Sequence, residues 1–77
     1  MRNLKNQINP RKLLLSKWTS VIVLEKEKHF IITRLLPTND ASDKLDFVEM
    51  EAILTNSLKT IPIQDLKEKS KWLPGWI

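Results

Sequence analysis

The side chains that could perform acid–base or nucleophilic chemistry are few in this chain of 77 residues. His29 is the single histidine and cysteine is absent, so the candidate nucleophiles are serine, threonine and lysine. Ser16 and Lys17 are adjacent, which is not the Ser-x-x-Lys spacing that brings both groups to one face of a helix. The sequence therefore predicts no catalytic residue, and we expect a protein that is not an enzyme.

The carboxylates also lack the spacing of a metal or catalytic site. Asp40, Asp43 and Asp46 do not form the Asp-x-Asp-x-Asp-Gly pattern of a calcium loop, so we expect loop and cap residues. Glu49 and Glu51 would share one face of a strand, where an exposed acidic stripe is a simpler interpretation than an acid–base pair. A chain with one glycine has no glycine-rich phosphate loop. We therefore expect no metal ion and no cofactor.

Basic residues are concentrated at the N-terminal end. Residues 1–17 contain five of the 13 basic residues and no acidic one, whereas residues 18–77 contain the other eight and all nine acidic ones. Such a basic segment can contact nucleic-acid phosphates, an anionic membrane or an acidic protein surface, or it can simply be solvated. We predict a flexible basic arm at residues 1–8 and one small domain at residues 9–77.

The three tryptophans lie near the two ends of the chain. In so small a domain each is a large part of the available core, and we expect this role for Trp18 and Trp72. Trp76, beside a turn at Pro74-Gly75, is equally suited to bind a partner, because tryptophan is enriched at the centres of protein interfaces. The candidate partner-binding residues are Arg11, Lys12, Lys17 and Trp76.

The N-terminal half predicts one helical turn and two strands. Asn9 followed by Pro10 is a favourable N-cap and first helical residue, which starts a short turn over residues 10–16. Aromatic and β-branched residues then favour two strands, which are separated by a polar connection and followed by a loop-like composition. The predicted strands span residues 18–23 and 29–36, the connection residues 25–28 and the loop residues 38–44.

Residues 46–58 are compatible with two structures. As a strand, they place alternate apolar side chains from Val48 to Leu54 on one face. As a helix, they could be capped by Asp46 and would carry an apolar stripe. We favour the strand, because residues 56–59 suit a turn into a fourth strand at residues 60–63.

We therefore predict an all-β or mostly β protein. Four short antiparallel strands, paired in the order 1-2-3-4, would curl into a small barrel of the SH3-like type with short helical turns near both ends. The second helical turn is expected at residues 65–71, before a tight turn in which Gly75 has a positive φ. The alternative is an α+β fold with residues 46–58 helical. No apolar run approaches the roughly 20 residues of a membrane-spanning helix.

Five spaced motifs extend over nearly the whole chain from Asn9 onward. They are NPRKLLLSKWT at 9–19, EKHFIIT at 27–33, EAILT at 51–55, LK at 66–67 and WLPGW at 72–76. With these motifs the chain resembles a family of short tryptophan-rich bacterial proteins of unknown function. The resemblance implies a bacterial protein, and it supplies no catalytic residue, cofactor or substrate.

The leading functional hypothesis is a protein-interaction module, a small accessory or assembly subunit that binds through the basic arm and an exposed sheet edge or tryptophan surface. The alternative is an RNA-binding β-barrel, in which the arm contacts phosphates and aromatic side chains stack on bases. It ranks second because residues 18–77 carry no basic excess. We expect a cytoplasmic location, since no targeting segment is recognisable.

Overall fold

The computed structural model describes residues 5–24, 26–37 and 45–77. In chain order the elements are α1 (Pro10–Leu13), β1 (Lys17–Leu24), β2 (Glu27–Pro37), β3 (Leu45–Ala52), β4 (Leu58–Pro62), α2 (Ile63–Leu66) and β5 (Trp72–Pro74). The five strands form one antiparallel sheet in the order β4-β3-β2-β1-β5.

The mostly β class is confirmed, but the predicted closure into an SH3-like barrel is wrong, because the described sheet is open. Closure would require β1 to pair with β4. That edge of β1 is instead occupied by β5, which pairs with Trp18, Thr19 and Ser20. The four predicted strands do lie side by side in the order 1-2-3-4, and β5 is an additional strand.

β3 confirms the strand prediction for its segment, and the helical alternative for residues 46–58 is wrong. The strand lies between β2 and β4 and pairs antiparallel with both. Val48, Met50 and Ala52 are buried on one face, as the alternation predicts. Leu54 lies beyond the end of the strand and is 67% exposed, so the apolar face ends at Ala52.

The helical turn α1 begins where the sequence predicts, with Asn9 as its N-cap. The Asn9 side-chain oxygen accepts a hydrogen bond from the main-chain N–H of Arg11 at 3.1 Å. Pro10 occupies the first turn, where no N–H donor is needed. The helix ends at Leu13, earlier than predicted, and the chain then passes through Leu15 with a φ of 65°.

The hydrophobic core joins one face of the sheet to side chains from α1 and α2. Trp18 and Trp72 are both buried in it, as predicted. The Trp18 indole N–H donates to the Ser16 hydroxyl at 2.9 Å, and the Trp72 ring meets Phe30 edge to face at 5.2 Å. The core residues are Leu13, Trp18, Phe30, Ile32, Val48, Met50, Ala52, Ile61, Ile63, Leu66 and Trp72.

Residues 5–8 are attached to the body of the protein, although the sequence predicts a flexible arm at residues 1–8. Asn6 is buried, and its side-chain amide donates to the main-chain oxygens of Leu66 and Trp72, each at 2.7 Å. This contact joins the N-terminal segment to α2 and β5. The first four residues lie outside the described residues, as does the predicted loop between β2 and β3.

β1 contains a large bulge of four residues near its hairpin with β2. The two strands are in regular register up to the Thr19–His29 pair, and four further residues of β1 then lie opposite Lys28 alone. Because β2 begins at Glu27, the predicted polar connection at residues 25–28 is shorter than expected. Three exposed branched apolar residues lie in the bulge: Val21, Ile22 and Val23.

Candidate functional site

The chain after β5 folds back over β1 and β2 on the face opposite the core. Gly75 has a φ of 82°, as the predicted turn requires, and its N–H donates to the main-chain oxygen of Lys17 at 2.8 Å. The buried Thr19 hydroxyl donates to the Gly75 oxygen at 2.6 Å and accepts from the Ile77 N–H at 3.0 Å. These bonds fix the segment that carries Trp76.

Trp76 is 41% exposed, and three contacts hold its indole. Its N–H donates to the main-chain oxygen of Phe30 at 2.9 Å. The Lys17 Nζ lies 4.8 Å from the ring centroid, which is a cation–π distance. The His29 ring lies beside it, with centroids 5.8 Å apart and 31° between the planes. The structure therefore brings together two of the predicted partner-binding residues, Lys17 and Trp76.

His29 connects this tryptophan to a depression at the hairpin end of the sheet. The depression has a volume of about 460 Å³ and is lined by residues from the β1–β2 hairpin and from the turn after β3. Its walls combine ammonium groups with branched aliphatic side chains. We name the following residues together the His29 surface: Lys17, Lys26, Lys28, His29, Ile53, Leu54 and Trp76.

Glu27 fixes the two turns beside the depression to each other. Its carboxylate accepts hydrogen bonds from the hydroxyls of Thr55 and Ser57, which lie between β3 and β4. The bond from Ser57, and then the bond from Thr55, stabilise the charged form and hold the pKa of Glu27 below its ordinary value. The relative position of the two turns therefore depends on an ionised carboxylate.

This contact gives a pH dependence that can be measured. Because the folded pKa of Glu27 is lowered, its stabilising contribution is complete above the pKa of an unfolded glutamate and is lost as the pH falls through the folded pKa. In that acid range we expect the melting temperature of the wild type to fall more steeply than that of Glu27→Gln, as circular dichroism would record. Glu68→Gln, remote from these turns, is the control and should follow the wild type. Parallel curves for the wild type and Glu27→Gln would contradict the expectation.

The His29 surface contains three lysines and no acidic residue. The predicted acidic stripe of Glu49 and Glu51 is half-buried rather than exposed. Glu49 accepts a hydrogen bond from the Thr33 hydroxyl at 2.9 Å, and Glu51 accepts one from the Asn56 amide at 2.7 Å. Both carboxylates are therefore bound to neighbouring strand and turn residues. The residues that line the depression include two lysines and no acidic residue, and the Glu27 carboxylate beside it is bound to the turn after β3.

Arg11 and Lys12 are not part of the His29 surface. Both are exposed on α1, and α1 precedes β1. β1 begins opposite Ile31, at the end of the β1–β2 ladder away from the hairpin. The predicted binding residues therefore form two groups: Lys17 is in contact with Trp76, whereas Arg11 and Lys12 lie on α1 and make no contact with that ring.

The sequence does not predict the five residues that line the depression. A signal for His29 was present, because a polar residue next to the buried Phe30 in a strand points to the face opposite the core. No such signal marked Ile53 and Leu54, which continue the apolar run of β3. Their exposure is a consequence of where β3 ends.

Three features that would indicate a site of another kind are absent from the described residues. Within residues 5–24, 26–37 and 45–77, no group of three or more His, Cys, Asp or Glu side chains could hold a metal ion. In the same ranges, no helix has the length and hydropathy needed to cross a membrane. No buried side-chain nitrogen or oxygen there lacks a hydrogen-bond partner, so none marks the position of a ligand.

Fold and surface together define a small protein built on one open antiparallel sheet, with an aromatic and lysine-lined surface that extends from the start of β1 to the β1–β2 hairpin. Residues 16–77 match the family model described as Tryptophan-rich protein (DUF2389), and the chain belongs to this family, whose function is unknown. The match includes every residue of the His29 surface. No curated protein and no solved structure matches the chain.

Proposed function

We propose that the protein is a non-enzymatic protein-interaction module, and that an extended acidic and apolar segment of its partner binds at the His29 surface. The observation that carries this proposal is the half-exposed Trp76, which is held by three contacts beside a lysine-lined depression. Tryptophan is enriched among the residues that dominate binding energy. An indole that is already fixed loses little further freedom on binding, which favours affinity.

The chemistry of the partner follows from the walls of the depression. Lys26 and Lys28 favour carboxylates, whereas Ile53 and Leu54 favour an aliphatic or aromatic side chain between them. A segment with acidic residues on either side of an apolar one meets both requirements. Such a binding role suits a small accessory or assembly subunit of the bacterial cytoplasm.

Selection of peptides tests this proposal and does not require an identified partner. A random peptide library is selected on the immobilised full-length protein, and calorimetry gives the affinity of each enriched peptide. We expect enriched peptides to combine Asp or Glu with a large apolar residue. Trp76→Ala should weaken their binding by about 2 kcal/mol or more, which is about 30-fold. Lys26→Ala combined with Lys28→Ala should reduce the salt dependence of association.

Matched variants away from the His29 surface provide the controls. Lys12→Ala removes a lysine on α1, and Leu14→Ala removes an exposed leucine that follows α1. Both should bind the selected peptides as the wild type does. Peptides that bind Trp76→Ala with wild-type affinity would contradict the proposal, provided that this variant melts cooperatively.

RNA binding is the second candidate, favoured by the Lys17 ammonium beside the Trp76 ring. Three lysine contacts to a single strand would give a log–log salt slope of about −2, at roughly −0.7 per contact. Titration with single-stranded RNA at several salt concentrations measures this slope. Sub-micromolar affinity at physiological salt, lost in the variant with both Lys26→Ala and Lys28→Ala, would place RNA ahead of a protein partner.

A further inference from the structure

The junction between α1 and β1 exposes two leucines beside two cations. Leu14 is 51% exposed and Leu15 is 64% exposed. Arg11 and Lys12 are exposed on the preceding helical turn, and neither has an ion-pair partner among the residues that the structure describes. We name these four residues the leucine edge. It lies beyond the end of β1 away from the hairpin, and it shares no residue with the His29 surface.

Leu15 is held in a conformation that its side chain does not favour. Its φ of 65° lies in the left-handed region, where a side chain on Cβ is strained. Two main-chain bonds impose this conformation, from the Leu15 N–H to the Ile32 oxygen at 2.8 Å and from the Ser16 N–H to the Leu13 oxygen at 2.9 Å. Burial of the Leu15 side chain does not offset the strain, because that side chain is largely in solvent.

The chain segment that contains the leucine edge carries charge of one sign. The first 24 residues of the chain contain no Asp or Glu, so no carboxylate of this segment competes for the two cations. Exposed leucines next to two cations that have no ion-pair partner among the described residues match the two layers of an anionic bilayer surface. The cations attract phosphate headgroups, and the leucines enter the boundary with the acyl chains.

We propose that the leucine edge binds the surface of an anionic lipid bilayer, in a reversible peripheral contact. A bilayer accepts any protruding aliphatic side chain, whereas a protein partner would need a separate pocket for each leucine. Binding to RNA would account for the two exposed cations but not for the two exposed leucines. The proposal is independent of the function proposed for the His29 surface, which would remain free to bind a partner.

Cosedimentation with vesicles tests this proposal on the full-length chain. The vesicles contain phosphatidylcholine alone or phosphatidylcholine with phosphatidylglycerol, and we expect binding to the second type only. Arg11→Ala with Lys12→Ala should lower the partition coefficient about 30-fold. Each basic residue near an anionic surface contributes about 1 kcal/mol to binding, and every 1.4 kcal/mol changes the partition coefficient about tenfold. Leu14→Gln with Leu15→Asn should also lower it strongly at unchanged net charge. Asparagine tolerates a positive φ, so this variant should keep the wild-type melting temperature.

A matched variant at the other end of the sheet shows whether vesicle binding depends on the leucine edge or on the general electrostatic attraction of a basic protein to an anionic membrane. The variant with Lys26→Ala, Lys28→Ala and Leu54→Gln loses two cations and one exposed leucine, and it should keep most of the vesicle binding. An equal loss in this variant would overturn the proposal. So would wild-type binding by the folded leucine variant, or an absence of binding to phosphatidylglycerol vesicles. If vesicles do not bind and Arg11→Ala with Lys12→Ala instead abolishes RNA binding, the leucine edge is an RNA site and the proposal is wrong.

Discussion

Trp18→Ala is expected to lower the free energy of unfolding by about 3–5 kcal/mol. The Trp18 side chain is 4% exposed within the core, and its N–H donates to the Ser16 hydroxyl, so the change leaves a cavity and removes one of the two hydrogen bonds of that hydroxyl, which still donates to the Leu13 oxygen. In a domain this small, such a loss approaches the whole of the stability. Urea unfolding followed by circular dichroism measures it, and the variant should be largely unfolded without denaturant.

Trp76→Ala is the matched control, because it removes the same side chain from a half-exposed position. It loses the hydrogen bond to the Phe30 oxygen and the ring contacts with Lys17 and His29 at a partly exposed position, so we expect a cost of about 1–2 kcal/mol, well below that of Trp18→Ala. Equal unfolding midpoints for the two variants would contradict the burial of Trp18.

Asn6→Ala is expected to lower the free energy of unfolding by about 2–3 kcal/mol. The Asn6 amide donates two hydrogen bonds at 2.7 Å, and its removal leaves the Leu66 and Trp72 main-chain oxygens without these donors in a buried environment. Thermal melting measures the loss. Gln7→Ala, at the exposed neighbouring position, is the control and should melt as the wild type does.

The comparison of Asn6 with Gln7 decides where the folded domain begins. If the two variants melt alike, the Asn6 side chain contributes no stability, as the predicted arm implies. A selective loss in Asn6→Ala would extend the folded domain to residue 5, and only the segment before it could act as an arm.

Local sequence patterns predict the four longer strands. The β-branched runs of β1 and β2 and the alternation in β3 describe the strands directly, because one face of each strand packs against the core. β5 has no such pattern, since a segment of three residues that ends in Pro74 is typical of a turn. It becomes a strand through pairing with Trp18, Thr19 and Ser20, which are distant in sequence. The open sheet follows from that pairing, and local periodicity carries no information about it.

The sequence does not predict the bulge in β1, for a similar reason. Residues 20–23 have the composition of a regular strand, and only the register with β2 places them opposite Lys28 alone.

The same limit applies to the His29 surface. Lys17 and Trp76 are identified individually as binding residues, but their contact depends on the Gly75 turn and on the Thr19 hydroxyl that holds it.

The pairing of β5 with β1 also constrains synthesis of the protein on the ribosome. Translation delivers β1 first among the strands and β5 last, so β1 leaves the exit tunnel before its neighbour on one side exists. Until Trp72 to Pro74 emerge, that edge of β1 can pair with another nascent chain, and the apolar bulge lies on the same strand. A chain that stops before Trp72 never closes this edge, and it becomes a substrate for chaperones or proteases.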